Sequence, residues 1–336
     1  MISVQGQPES AVESNAHRLV NVCGQLRSNE RALIIADATT QGVGDLLLRY
    51  AQAVTPNACL MTVASRSMHG MEPPDDIARA MRDADVIFGV TKSSMAHTTA
   101  RVNATDGGAR YLSLADYSLE QLARPSLTVD FFHWGKVAKR LKDLFDAAAS
   151  IRVKTKRGTD VTVYCGGRKA NFCPGFCANP GSMSSPPDIE TNISPLETES
   201  EGVIIADGSI PCEAIGLLVE PITLVVAHGS IASIDQRKRQ GRILSALFDA
   251  YPPNARVLAE FGVGLNPKAE LRGFMLEDEG CLGTIHFGFG SNATVGGINA
   301  VPFHLDVVVC APTVWVDTEC IMNGGKLVEG FGGNTA

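Results

Sequence analysis

Three short apolar runs, Ala32–Ala36, Ala58–Val63 and Val86–Val90, recur through the first third of the chain, separated by stretches of helical period. Uninterrupted apolar runs of this length predict strands buried on both faces. Between them, Leu46, Leu47, Tyr50 and Val54 share one helical face over Asp45–Val54, and Pro73–Asp76 opens a helix that runs to about Ala84. Arg110–Leu114 repeats the strand signal after a further helix-like stretch. This alternation predicts an open parallel α/β sheet. A long helix over Gly135–Ala149, with Val137, Leu141, Leu144, Phe145 and Ala148 on one stripe, closes the region.

After Ser150 the texture changes. Ile151–Lys156 and Thr159–Tyr164 alternate around Arg157-Gly158, and Leu224–Ile234 turns at His228-Gly229; both read as hairpins. Residues 171–200 are rich in Pro, Gly, Ser and Asn and read as a long loop. One helix, about Gln236–Ala250, interrupts the strands. The expected organisation is an N-terminal α/β domain over residues 1–150 followed by a β-rich metal-binding domain over residues 151–336.

Bulk composition narrows the function. The chain has 336 residues, 45% of them apolar, enough for two domains with buried cores. A formal charge of −7 argues against a nucleic-acid partner, which needs clustered Lys and Arg. The one dense basic run, Arg237–Arg239, reads as a solvated helix start. The first residues show no basic segment leading into an apolar one, and no apolar run reaches the length of a membrane span, so a cytoplasmic protein free of membrane is expected. Nine cysteines without paired spacing read as small core hydrophobes; Cys173 and Cys177 are the one local pair, with no second pair to complete a zinc site.

The chemistry lies in the C-terminal half. His304 and Asp306 sit two apart in the apolar run Pro302–Val309, so on a strand their side chains share a face. Buried imidazole and carboxylate are costly unless paired, which leaves two readings open: a hydrogen-bonded core pair or a metal site. His286, in the glycine-ended run Gly283–Gly290, and Glu260, between apolar neighbours in Leu258–Leu265, extend the metal reading. Glu190 lies in a polar stretch where a solvated carboxylate is ordinary. Three carboxylates and two histidines suit a two-metal site.

These segments resemble the M29 metallo-aminopeptidase family and its relatives. The match runs in family order through Ile189-Glu190 with Pro195, Ala259–Pro267, Asp278-Glu279, Gly283–His286 and His304–Asp306, over roughly the last 150 residues. The resemblance implies Glu190, Glu260, His286, His304 and Asp306 as metal ligands, and a homodimer. The tyrosine that the peptidases place after the Gly283–His286 element is missing; Ser291–Gly297 stands there. A second branch of the superfamily, the dihydroxypyridine ring-cleaving dioxygenases, is similar in the Asn292–Gly297 stretch and the His304–Asp306 element. It implies one ferrous ion on two histidines and a carboxylate, with histidine at the Glu260 position and neither acid nor imidazole at Glu190 and His286.

Because the ligands follow the peptidases, the expected function is metal-dependent hydrolysis of an amide, peptide or related bond in a small, cyclic or linear molecule. Zinc, manganese or cobalt, one or two ions, would activate water and polarise the carbonyl. Glu260 or Glu190 as a bridging ligand, or Glu279 from just outside, would move the proton. The alternative is a mononuclear iron(II) dioxygenase opening a hydroxylated pyridine or aromatic ring, using His304, Asp306 and one of His286 or Glu260. A third reading is a metal-binding protein without turnover. His97, beyond the Val86–Val90 run with Ser93 and Ser94, is a candidate substrate-contacting residue, because functional groups gather past the carboxyl ends of parallel strands.

Overall fold

The computed structural model of the chain describes residues 10–66 and 69–331. It contains two compact units. The first comprises the chain up to Phe131 together with Gly175–Pro186; the second comprises Phe132–Pro174 and the chain from Pro187 onward. The division therefore falls at Phe131, ahead of the helix expected to close the first domain, and one later segment belongs with the first unit.

The first unit is a parallel sheet of β1 (Ala32–Asp37), β2 (Ala58–Val63), β3 (Val86–Val90), β4 (Arg110–Ser113) and the short strand Met183–Ser184, in the order β2-β1-β3-β4 and then Met183–Ser184. All residues of β1 and β3 are buried, as central strands covered on both faces must be. The helices are α1 (Ala11–Arg18), α2 (Gln41–Val54), α3 (Asp75–Asp83) and α4 (Thr99–Asp106). Val43, Leu47 and Ala51 of α2 recur every four residues on its buried face. Thr98 caps α4 by accepting from Arg101 N, and Glu72 accepts from Thr99 N at 2.5 Å and Ala100 N at 3.1 Å. Under the sheet, Gly89 makes room for Tyr111: a Cβ on Gly89 would lie 2.1 Å from the Tyr111 hydroxyl, which is buried without a hydrogen-bond partner.

The second unit holds two large antiparallel sheets and a two-stranded pair, Ser209–Ile210 with Gly216–Leu217. One has eight strands, including the two expected hairpins as Ser150–Lys154 with Asp160–Tyr164 and Ile222–Ala227 with Ser230–Ile234. The other is built from β5 (Ala170–Cys173), β6 (Glu190–Ile193), β7 (Leu258–Gly264), β8 (Thr284–Gly290) and β9 (His304–Cys310), in the order β9-β8-β7-β6-β5. The stretch 171–200 is thus no plain loop, since it supplies β6, a sheet-interior strand, and most of β5. The helices are α5 (Phe131–Phe145) and α6 (Arg239–Asp249). α5 begins four residues before its expected start.

Strand alternation divides the five-stranded sheet into two chemically distinct faces. One carries Phe261, Val263, Ile285, Phe287, Phe289, Val307 and Val309, all fully buried. Phe261 packs against Phe145 of α5 with ring centroids 6.0 Å apart, and Thr191 donates to Ala138 O at 2.7 Å. Each such apolar side chain contributes about 1.5–3 kcal/mol on burial. The other face carries Glu190, Glu260, His286, His304 and Asp306.

Candidate metal centre

The register of the sheet gathers these five side chains. Gly264 pairs with Glu190, Gly262 with His286, and Gly288 with both Glu260 and Asp306, while His304 lies at the start of β9 opposite Gly290. A bulge between Leu258 and Glu260 turns the Glu260 carboxylate into the group. Gly288 occupies the floor: a Cβ there would lie 2.9 Å from Asp306 Oδ1, Glu260 Cβ and His304 Cε1. No residue larger than glycine fits beneath the donors.

Two three-donor groups result, Glu190 with Glu260 and His286, and Glu260 with His304 and Asp306. Glu260 is common to both. Its Oε1 lies 3.8 Å from His286 Nε2 and its Oε2 lies 3.5 Å from His304 Nε2. His286 Nε2 is 3.2 Å from Glu190 Oε2, and His304 Nε2 is 3.4 Å from Asp306 Oδ1. Four of the five residues are buried, whereas the His304 side chain keeps 34% of its surface exposed and marks the open side of the site.

The ring of His304 is oriented from behind. Its Nδ1 lies 2.9 Å from the carbonyl oxygen of Ser291, an acceptor only, so Nδ1 carries the proton and donates it. Nε2, facing Glu260 and Asp306, is the atom left to bind a cation, the arrangement common to metal-ligating histidines. Glu190 is held by Asn192 Nδ2, which donates to its Oε1 at 2.7 Å. Its Oε2 and His286 Nδ1 are buried without hydrogen-bond partners.

The electrostatics confirm that the group is costly as it stands. Burial pushes Glu260 up, and the neighbouring Glu190 and Asp306 charges add to it. Burial opposes ionisation of Asp306 too, yet the His304 charge holds it at about 2. Burial disfavours the His304 imidazolium, but Asp306 and Glu260 raise it to about 10. Two further carboxyls that stand close by, Asp188 and Glu279, are raised well above their ordinary values, first by burial and then by Glu190 and Asp306 respectively. Each has one oxygen buried without a hydrogen-bond partner. Five carboxyls around two imidazoles, with unpaired donor atoms, are the environment a divalent cation relieves. The oxygen and imidazole donors suit iron(II), manganese, cobalt or zinc.

The structure brings together all five residues that sequence reasoning named, with Glu279 close by. That reasoning missed Asp188, whose only signal was its place two residues before Glu190. His97 is exposed in the first unit, between β3 and α4, and its companions there serve the loop: Ser93 Oγ donates to Arg66 O at 2.8 Å and Ser94 Oγ accepts from Ala96 N at 3.1 Å.

Residues 15–329 match the family described as NicX, 2,5-dihydroxypyridine 5,6-dioxygenase. The chain belongs to this family. It is 26% identical to the 2,5-dihydroxypyridine 5,6-dioxygenase of Pseudomonas putida (strain KT2440) over 260 residues, 74% of this chain and 73% of the relative. The solved structure of 2,5-dihydroxypyridine dioxygenase from P. putida KT2440 superposes with a TM-score of 0.83 over 96% of this chain and 99% of that one, at 20% identity. Wild-type AmpT from Thermus thermophilus gives a TM-score of 0.68 over 95% and 99%, at 14% identity. The fold is thus shared with both.

Family membership overturns the expectation of a metallohydrolase of aminopeptidase type. That expectation rested on the ligand motifs, and such motifs report that a cation is held, a property common to both branches. The family match runs through residues 15–329, nearly the whole chain.

Proposed function

We propose that the protein is a metal-dependent dioxygenase that opens a hydroxylated nitrogen-heteroaromatic ring of the dihydroxypyridine class. The observation that carries this reading is the family match over residues 15–329 together with the buried donor group on β6–β9. Glu260, His304 and Asp306 would hold an iron(II) ion on the solvent-open side, and Glu190 and His286 would share Glu260 in holding a second. Both groups offer one imidazole and two carboxylates; the two histidines do not share one.

Bound iron(II) supplies the redox chemistry that lets molecular oxygen react with an electron-rich ring. The protein's own groups do the rest. The exposed edge of His304 gives substrate its approach, and the buried carboxylates keep the interior side closed to water. Glu279 bonds Asp306 and, held neutral by burial, keeps a proton beside it.

An oxygen electrode tests this directly. Protein loaded with iron(II) and given 2,5-dihydroxypyridine is expected to consume oxygen in step with loss of the ring absorbance. Metal-loaded protein that consumes none across dihydroxypyridines, yet hydrolyses amides without air, would reverse the assignment.

A further inference from the structure

The loop between β8 and β9 is held far more firmly than its position requires. Its tip residue, Ile298, is 82% exposed and contributes nothing to a core. Yet Asn292, at its base, is fully buried and uses its whole carboxamide. Nδ2 donates to Ser194 Oγ and to Glu197 Oε1, each at 2.9 Å, and Oδ1 accepts from Asn299 N at 2.7 Å. Asn292 and Asn299 also bond through their backbones, and Gly297 N donates to Asn292 O at 2.8 Å. Gly297 is glycine because a Cβ there would lie 2.0–2.2 Å from the Asn292 carboxamide.

Glu197 is the centre of this arrangement. Besides Asn292, its Oε1 accepts from Ile298 N at 2.8 Å, and its Oε2 pairs with Arg168 Nη2. Arg168 in turn donates through Nη1 to Gly296 O at 2.8 Å. Both side chains of this ion pair are largely covered, with 15% of Glu197 and 14% of Arg168 exposed. Taking two charges out of water is expensive, and a pair of this kind rarely improves net stability over apolar packing. What it fixes is geometry. The residue next to Asn292 is Ser291, whose N–H donates to Phe303 O at 2.8 Å and whose carbonyl is the partner of His304 Nδ1.

We propose that Glu197 is a positioning residue for His304: with Arg168 and Asn292 it clamps the Ser291–Asn299 loop so that the Ser291 carbonyl holds the imidazole with Nε2 turned to the metal. This rests on the metal reading above and assigns a role to three residues that touch neither metal nor substrate. The other imidazole, His286, has no such support, since its Nδ1 is unpartnered. The clamp therefore acts on one half of the donor group, the solvent-open half.

The test uses the full chain, stripped of metal and titrated with Co²⁺ alone, with Glu197→Ala and Glu197→Gln beside the wild type. In the same metal-free samples, the His304 Nδ1–H resonance is followed by NMR on ¹⁵N-histidine-labelled protein. Glu197→Ala is expected to bind Co²⁺ about 10–100-fold more weakly, the usual consequence of losing a ligand's outer support. It is also expected to lose the protected Nδ1–H signal while still folded, at a lowered melting temperature, because Arg168 loses its buried partner. Glu197→Gln keeps an acceptor oxygen and should restore most of the affinity. Wild-type affinity and an intact resonance in Glu197→Ala would overturn the proposal, as would weakened binding with the resonance retained, or a Gln variant as weak as the Ala variant. If Glu197→Ala does not fold, Arg168→Met removes the outer half of the clamp and is read the same way. A wild type that shows the resonance but takes up no Co²⁺ refutes the metal reading; a wild type without the resonance refutes the clamp itself.

Discussion

Gly262 and His286 face each other across the β7–β8 ladder, and a methyl group on Gly262 would lie 2.0 Å from the imidazole Nε2. The ring rests on bare backbone, so its place beside Glu190 and Glu260 depends on the absence of one carbon atom. Gly262→Ala is expected to displace His286, cutting bound metal to one ion or none and destabilising the fold by about 1–3 kcal/mol through overpacking. Gly42→Ala is the control: nothing lies within 4 Å of that site in α2, and alanine is the better helix former by about 0.5–1 kcal/mol. Elemental analysis and thermal melts of both variants check the pair.

Bound metal should stabilise the protein, because the unfolded chain cannot assemble these donors. At a free-ion concentration one hundred times Kd the gain is about 2.7 kcal/mol. A chelator is expected to lower the melting temperature of the wild type and to lower that of His304→Ala, which keeps only the Glu190–Glu260–His286 group, by less. Calorimetry of the four samples decides it.

These donors were unequally legible in the sequence. His304 and Asp306 showed their shared face through period-two alternation in an apolar run, and His286 and Glu260 through apolar neighbours. Glu190 was found by resemblance alone. Its strand, Glu190–Ile193, is four residues of which three are polar, and all are buried only because the sheet and α5 satisfy them. Periodicity registers no strand in such a segment, which is why residues 171–200 read as a loop. The parallel sheet was plain because β1, up to its last residue, and β3 are apolar runs. The reaction was misread for a different reason: ligand motifs record what coordinates a cation, whereas the choice between hydrolysis and oxygen chemistry depends on surroundings that no short motif contains.

The unpaired Tyr111 hydroxyl offers a stability gain. An unsatisfied buried polar group costs about 1–3 kcal/mol, and burial pushes the Tyr111 phenol well above its ordinary value, so ionisation provides no relief. Tyr111→Phe is expected to match or exceed wild-type stability by about 1 kcal/mol, while Gly89→Ala, which drives a methyl into the same ring, lowers it. Urea denaturation of the two variants has opposite expected signs.

Asp37 ties the carboxyl end of β1 to that of β3. Burial works against its ionisation, but bonds from the Thr39 hydroxyl and from the Lys92 and Thr39 N–H groups hold it below the usual carboxylate value of 3.8. Its stabilising contribution is therefore complete above the unfolded value and is lost as pH falls through the lower folded one. The stability difference between wild type and Asp37→Asn should be largest near neutrality and shrink steadily below about pH 4. Melts across an acid series measure it; a difference that grows on acidification contradicts this account.

The donors of the metal centre enter the chain in the order Glu190, Glu260, His286, His304 and Asp306, and β9 brings the last two. During synthesis a ribosome must therefore finish nearly the whole polypeptide before any ion can find both halves of its cage. Cation capture is then the closing event of a slow, long-range sheet assembly rather than a nucleus for it. A cell short of the ion would accumulate folded, empty protein that can still be charged later.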